Sequence, residues 1–456
     1  MDAFKQELAR RSPLAAAVLE SFDHVFDDEF LNTIWHEHRG RCYQDVLTFG
    51  QVTGLMRDAL IRHQGSAHKL FIELETDSAH PANESSFYRK LANMPVAISR
   101  AMLREATAKL TPLIPGPALT APACFDGFEL IVGDGKKIKN AAKRLAPARG
   151  FCGSLLGAAA LVGLNLRSGM AVAMSDSLDG MTNDVPMVPA LMSQLRQLYA
   201  GPILTIYDRQ FGNARTINEL CARPGDAFVA RVTEDARKIS VESSAQHIDQ
   251  SGRRVTDQII VMGVGKKALA LRHVRLERGD GDEDVVLLSS LMDGAAYPAD
   301  DLLRLYKMRW GIEQVFQQVT ETFSLTHLIG GSPKAVLFQF SFCLLLYNQM
   351  QVVKSHVAAG GGVEVKAVSM YYLFDDVRKE LEAWAYHTDG RWPRTVRTPD
   401  QMRARLVDLL RGVWHPIRYG KQADKKPRGK PKPKVLLHGG YSSMQRVLEG
   451  RVKVKT

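Results

Sequence analysis

Residues 306–316 read YKMRWGIEQVF. Met308, Ile312, Val315 and Phe316 recur at roughly three- and four-residue steps, which predicts a helix with one apolar face. Tyr306, Arg309 and Glu313 stand at i, i+3 and i+7, so that helix stacks a phenol, a guanidinium and a carboxylate on one side. An exposed i, i+4 Arg–Glu pair explains two of the three and contributes only about 0.2–0.5 kcal/mol. A functional face explains all three. The rest of the chain decides between them.

Working upstream, FELIVGD (128–134) is a β-rich run ending in an acid, and PILTIYD (202–208) is another. Between them SLLGAAALVGLNL and GMAVAMSDSL, joined at Arg167-Ser168-Gly169, read as a hairpin. VPMVPALMSQLRQLYA (185–200) is an amphipathic helix, ARTINELCARPG a short helix closed by Pro-Gly, and AFVARV a further strand. This alternation predicts an α/β sheet with helices packed on it. Residues 235–292 alternate polar and β-branched side chains, with turn signals at Gly279 to Asp282, and read as an all-β insertion. YPADDLLRLYKMRWGIEQVFQQVTETF (297–323) then resumes as one long helix with Pro298 near its start.

Open α/β sheets carry their chemistry at the carboxyl ends of strands. Asp134 is read as ending the first strand and Asp208 the fourth, while Glu313 lies on the helix after the insertion. Two strand-end carboxylates and one helix carboxylate can meet at one corner of a sheet. Clustered carboxylates repel unless a cation stands among them, and an all-oxygen set suits Mg²⁺ or Mn²⁺ rather than Zn²⁺. Two such ions about 3.5–4 Å apart stabilise both the attacking and leaving oxygens of a phosphoryl displacement. Each acid also has a plainer reading. Asp134, in GDGKK, suits a turn, and Asp208, in YDRQFGN, suits a helix cap.

Y-x2-R-x3-E, as Tyr306, Arg309 and Glu313, together with FELIVGDG and YDRQFGN, resembles the DDE transposases of the fourth insertion-sequence family, over roughly residues 125–350. The resemblance implies an RNase H-like core. It implies that Asp134, Asp208 and Glu313 ligate the metals and that Tyr306 and Arg309 hold phosphates near the cleaved DNA end. In that family the pattern continues -x6-K, and here the position is Thr320. Lys136, Lys137 and Arg209, beside the two Asp residues, are the candidates to supply the missing cation. Some relatives stack a flipped base on a Trp of the insertion. No Trp lies between 209 and 309 here, which leaves Phe211, Phe228, His247 or His273, or a nearby domain. Trp310 reads as core packing.

Charge placement bears on partners. From Arg391 to Thr456 there are 18 Lys and Arg against four acids, a net of +14, while the whole chain is +11. A basic C-terminal region on a near-neutral body suggests a polyanion partner, double-stranded DNA. RYGKQADKKPRGKPKPK (418–434), with Lys425, Lys426, Arg428 and Lys430, cannot pack a core and reads as an extended phosphate-binding segment. NESSFYRKLANMP (83–95) holds a short helix, capped by Ser85 or Ser86, that carries Arg89 and Lys90 as candidates for recognising DNA ends. PLIPGPALTAPA (112–123) reads as a linker. The apolar run AVLFQFSFCLLLYNQM (335–350), interrupted by Gln339, Ser341 and Asn348, reads as a buried core helix rather than a membrane span.

Five well-separated cysteines and no signal-like N-terminus suggest the cytoplasm. The expected layout is a helical, DNA-end-binding segment 1–120, a core split into 121–234 and 293–360 by the insertion 235–292, and a helical basic region 361–456 that contacts DNA and pairs subunits in a homodimer. The expected function is cut-and-paste transposition: cleavage at terminal repeats with two divalent ions, then transfer of the 3′-hydroxyl to target DNA. The alternatives are a metal-dependent nuclease of the same fold and a non-catalytic DNA-binding descendant.

Overall fold

The computed structural model describes residues 3–43, 47–75, 83–139, 141, 143, 145–233, 238–263, 265, 268–279, 282–323, 325, 327, 329–387, 396–421 and 440–452. The chain opens on helices α1 (Ala3–Arg11), α2 (Pro13–Val25), α3 (Asp28–His38), α4 (Phe49–Ile61), α5 (Ala67–Glu75), α6 (Glu84–Ala92) and α7 (Val96–Leu110). Strands follow: β1 (Glu129–Ile138), β2 (Ser154–Leu156), β3 (Ala158–Asn165), β4 (Met170–Ser177), β5 (Ile203–Tyr207), β6 (Ala227–Val232), β7 (Lys238–Ile248), β8 (Arg254–Met262), β9 (Leu269–Leu276) and β10 (Val285–Ser289). Helix α8 (Val188–Leu198) precedes β5, and α9 (Ala214–Leu220) precedes β6. The chain ends with α10 (Ala299–Lys307), α11 (Trp310–Glu321), α12 (Pro333–Gly360), α13 (Met370–His387), α14 (Pro399–Leu410), α15 (Pro416–Tyr419), β11 (Tyr441–Ser443) and α16 (Met444–Leu448).

The fold is mixed α/β around a nine-stranded sheet, in the order β4-β3-β1-β5-β6-β10-β9-β8-β7. β1 pairs antiparallel with β3 and parallel with β5, and β5 pairs parallel with β6. The strands of 235–292 do not make a sheet of their own. β10 returns antiparallel beside β6, and β9, β8 and β7 add to it in turn. Arg272 ties this extension down. It is 1% exposed, its guanidinium grips both oxygens of Asp257, and it donates to the carbonyls of Leu291 and Tyr297 just ahead of α10.

Alternation along β1 sorts its side chains onto two faces. Leu130, Val132 and Ile138 join a core shared with the N- and C-terminal helices and α10–α12. Ile131 joins a second core with α8 and α9 on the opposite face. The apolar helix α12 runs through the first core, buried over nearly its whole length, although it is long and apolar enough to cross a bilayer. Its polar residues are tethers. Asn348 donates to Thr107 and the Ala171 carbonyl and accepts from the Ala171 amide, Gln349 donates to Ser21 and the Val18 carbonyl, and Gln339 bonds the backbone at His327 and Ile329. The buried amides of these three side chains thereby gain partners, the lack of which would cost about 1–3 kcal/mol each.

Three local expectations are corrected. β1 does not end at Asp134 but runs on to Ile138, paired with β3. The helix predicted over 297–323 is two helices. At Met308 and Arg309 the backbone tightens to i→i+3 bonds, from Met308 N–H to the Leu305 carbonyl and from Arg309 N–H to the Tyr306 carbonyl. The cap of α6 is Asn83, whose side chain accepts from the Ser86 amide, rather than Ser85 or Ser86.

Candidate active site

The β1–β5 ladder sets the site. Its last pair is Val132 with Ile206, and the same register carried two residues further sets Asp134 beside Asp208. Both acids lie where parallel pairing has stopped, so their carboxylates are free to turn out of the ladder. The glycines around Asp134 have a steric cause. A Cβ at Gly133 would overlap the buried Tyr207 ring, and one at Gly135 would overlap the Asp184 carboxyl. The GDG triplet is therefore a strand segment crossed closely from its far face.

On the near face stands Arg309, 5% exposed. Its guanidinium lies 3.1 Å from Glu313, 3.9 Å from Asp208 and 4.0 Å from Asp134. Three acids from three separate elements thus surround one cation. The tightened backbone at 308–309 assists, because residues three apart eclipse in such a turn, and Tyr306 and Arg309 are so related. The Tyr306 hydroxyl donates to Asp208 Oδ1 at 3.4 Å. Asp134 Oδ1 accepts from the Gly135 amide at 2.9 Å, and Asp208 Oδ1 from the Arg209 amide at 2.7 Å. Asp208 is thus a cap as well as a member of the cluster.

Burial pushes the Asp134 carboxyl up to about 6, and the charges of Glu313 and Asp208 add to that shift against the pull of the Gly135 amide and Arg309. One guanidinium does not neutralise three acids. Among the described residues, no three such side chains stand close enough to hold a metal ion as they are. The donor set, three carboxylates gathered at one guanidinium, nonetheless fits a hard divalent ion, provided that Arg309 turns aside.

Lys136, on the same face of β1 as Asp134, donates to Thr320 Oγ1 at 3.0 Å and lies over the Phe316 ring. An ammonium thus stands at the position whose own side chain is uncharged. Burial, then the neighbouring Lys139, lowers the Lys136 pKa. Lys137 points to the opposite face, held by the Thr182 carbonyl and 3.5 Å from Asp184. Arg209 pairs with Glu283 at the base of the insertion. Arg89 is exposed on α6, and Lys90 sits 4.2 Å over the Trp35 ring. Lys425, Lys426, Arg428 and Lys430 fall outside the described residues.

Among the residues considered for a flipped base, Phe211, Phe228 and His273 are buried, whereas His247 is exposed and pairs with Asp300. Trp310 is not core packing: it is 57% exposed in the first turn of α11, with the Arg309 guanidinium 5.6 Å from its ring. Its one-residue offset from Arg309, with the helix restarting there, turns it to solvent. Sequence reading missed Asp184 altogether, since nothing in LDGMTNDVP distinguishes it from a helix-leading acid.

No curated protein matches the chain. A cryo-EM structure of a piggyBac transposase synaptic complex with hairpin DNA is similar over 87% of this chain and 75% of that one, at 13% identity and a TM-score of 0.31, too loose a likeness to bear on fold or activity. Residues 133–349, a span holding Asp134, Asp208, Tyr306, Arg309 and Glu313, match the family described as Transposase DDE domain, and this match supports a DDE transposase.

Proposed function

We propose that this chain is a cut-and-paste DNA transposase whose reaction centre is the Asp134, Asp208 and Glu313 cluster. The gathering of these three acids around Arg309, inside the family-matched span, carries the reading. The strand order β4-β3-β1-β5-β6, with its first three strands antiparallel and its last three parallel, supports an RNase H-like core. Asp134, Asp208 and Glu313 would hold Mg²⁺, for which Mn²⁺ can substitute. Such ions, when bound, stabilise developing charge on the attacking and leaving oxygens of a phosphodiester. Arg309, released from the acids, has a planar fork suited to two phosphate oxygens, and Tyr306 fixes Asp208 from the side. Lys136 places its charge where the cleaved strand would need a cation, in the absence of a lysine at 320.

In this reading, helices within 1–120, with Arg89 and Lys90, recognise terminal repeats, and Arg209 lies at the base of the insertion near the bound end. The basic stretch with Lys425, Lys426, Arg428 and Lys430 adds backbone affinity without reading sequence. Two ends are joined by a homodimer working on DNA in the cytoplasm. Expected metal-dependent steps are hydrolysis at the element's ends and attack by the exposed 3′-hydroxyl on target DNA, as in transposases of the fourth insertion-sequence family.

The same guanidinium favours a second reading, in which Arg309 permanently neutralises the acids and the fold binds DNA without cutting it. A strand-transfer assay with end-bearing DNA and Mg²⁺ separates the readings. Joined products support transposition, nicks alone a nuclease, and a gel shift without cleavage the non-catalytic scaffold. Asp208→Ala and Glu313→Ala are expected to abolish cutting and keep DNA binding. Undiminished cutting in either variant refutes the proposed centre.

A further inference from the structure

The segments bearing Asp134 and Asp208 run past the end of their shared ladder. Backbone hydrogen bonds between β1 and β5 therefore do not fix the spacing of the two carboxylates. Something else has to, because a metal site tolerates only a few tenths of an ångström of drift.

Asp184 lies under this gap, on the far face of the sheet. Its carboxyl fills the space that a Cβ at Gly135 would take, directly behind Asp134. Its Oδ2 accepts from the Gln210 side chain at 2.9 Å, two residues past Asp208. The Lys137 ammonium, two residues past Gly135 on β1, lies 3.5 Å from Oδ1. The side chain is only 13% exposed, and Oδ1 is buried with no hydrogen-bond partner. Asp184 itself is held on its loop ahead of α8, where its carbonyl accepts from the Met187 amide. One largely buried carboxylate thus touches β1 at two positions on its far face, Gly135 and Lys137, and the loop after β5 through Gln210, and it lies outside the acid cluster.

We propose that Asp184 is a positioning residue that latches the Asp134 and Asp208 segments together from behind, so that the two acids meet a divalent ion at a fixed spacing. This rests on the metal-site reading above, and the test separates the two. Mn²⁺ binding to the full chain, without DNA, is measured by calorimetry for wild type, Asp134→Ala, Asp184→Ala and Asp184→Asn, alongside Mn²⁺-dependent nicking. Partners that orient metal ligands typically alter affinity by about 10–100-fold when removed. Asp184→Ala is expected to weaken Mn²⁺ binding by about 10-fold, with nicking recovering at high Mn²⁺. Asp184→Asn, which keeps an oxygen for Gln210, should stay within about threefold of wild type, a rescue that a generic folding defect would not show. If Asp184→Ala does not fold, Gln210→Ala cuts the same hydrogen bond from the other side and should give the same loss. Mn²⁺ binding abolished in Asp134→Ala but unchanged in Asp184→Ala and Gln210→Ala overturns the latch alone. Binding unchanged in Asp134→Ala overturns the metal site and the latch with it.

Discussion

Arg309 Nη2 stands 3.1 Å from Glu313 Oε1, one helical turn away, and the same guanidinium reaches within 4.0 Å of Asp134 and Asp208. The buried cation and any divalent ion therefore compete for the same three carboxylates. Arg309→Ala should leave the acids repelling one another, so the metal-free protein melts lower than wild type. Added Mn²⁺ should then raise its melting temperature by more than it raises that of wild type, because no guanidinium has to be displaced. Nicking should nonetheless drop by about 10²–10³-fold, the loss seen when one preorganised hydrogen-bond donor is removed from a reaction centre. Equal Mn²⁺-induced shifts in the two proteins would show that Arg309 does not guard the site.

Lys136 and Thr320 form a hydrogen-bonded pair across β1 and α11. If the Lys136 ammonium serves as the phosphate contact that residue 320 does not provide, the charge matters more than the strand that carries it. Lys136→Ala should lower the rate of end cleavage by about 10–100-fold, the worth of one charge-assisted contact. Adding Thr320→Lys to that variant should recover much of the loss, since a lysine there starts from the same spot. Single-turnover cleavage of the three proteins, with DNA saturating, checks this. A double variant as slow as Lys136→Ala alone rejects the exchange.

How much of this was legible beforehand differs from element to element. The hairpin across Arg167–Gly169, the strand bearing Asp134 and the strand leading to Asp208 follow from β-rich runs bounded by turn residues. The acids' convergence was inferable from their order along the chain. The break at Met308–Arg309 was not, because neither residue is a helix breaker and both keep helical dihedrals. Only the hydrogen-bond pattern shifts. Asp134 was misplaced at a strand end because Asp-Gly ordinarily marks a turn. Here the glycine answers a close approach by Asp184, a contact made by residues 49 positions apart in sequence. Its place on the Glu313 helix suggests core packing for Trp310, whereas its exposure depends on where α11 restarts. Periodicity reports local geometry, and each of these errors concerns a tertiary contact or a one-residue phase.

The charge-rich stretch 418–434 leads to a prediction on salt dependence. Each phosphate neutralised by a lysine or arginine adds about 0.9 to the slope of log affinity against log salt for duplex DNA. Replacing Lys425, Lys426, Arg428 and Lys430 with alanine should reduce that slope by up to about 3.6, in equal measure for end-bearing and unrelated duplexes. Titrations at several salt concentrations on both duplexes measure it. A loss confined to end-bearing DNA would mean that this stretch reads sequence.

Glu380 gives a pH dependence remote from the acid cluster. It projects from α13 to the start of α2, where it accepts the Ala15 amide at 2.8 Å and caps a helix whose own Ser12 provides no side-chain cap. Burial raises its pKa from 4.5 to about 7, against the Ala15 and Leu14 amides that favour the charged form. The folded protein therefore holds this proton more tightly than the unfolded chain does. The resulting stability is fully present below about pH 4.5 and is lost as pH rises through about 7. Glu380→Gln keeps an oxygen acceptor for the amides but carries no charge. It should match wild type near pH 5 and exceed it at pH 8, by on the order of 1 kcal/mol once solvent screening of a partly exposed carboxyl is allowed for. Chemical denaturation of both proteins at pH 5, 6.5 and 8 tests the trend. A stability difference that stays constant across the three would show that the carboxyl titrates alike in the folded and unfolded chains, and that α2 gains its cap without a buried charge.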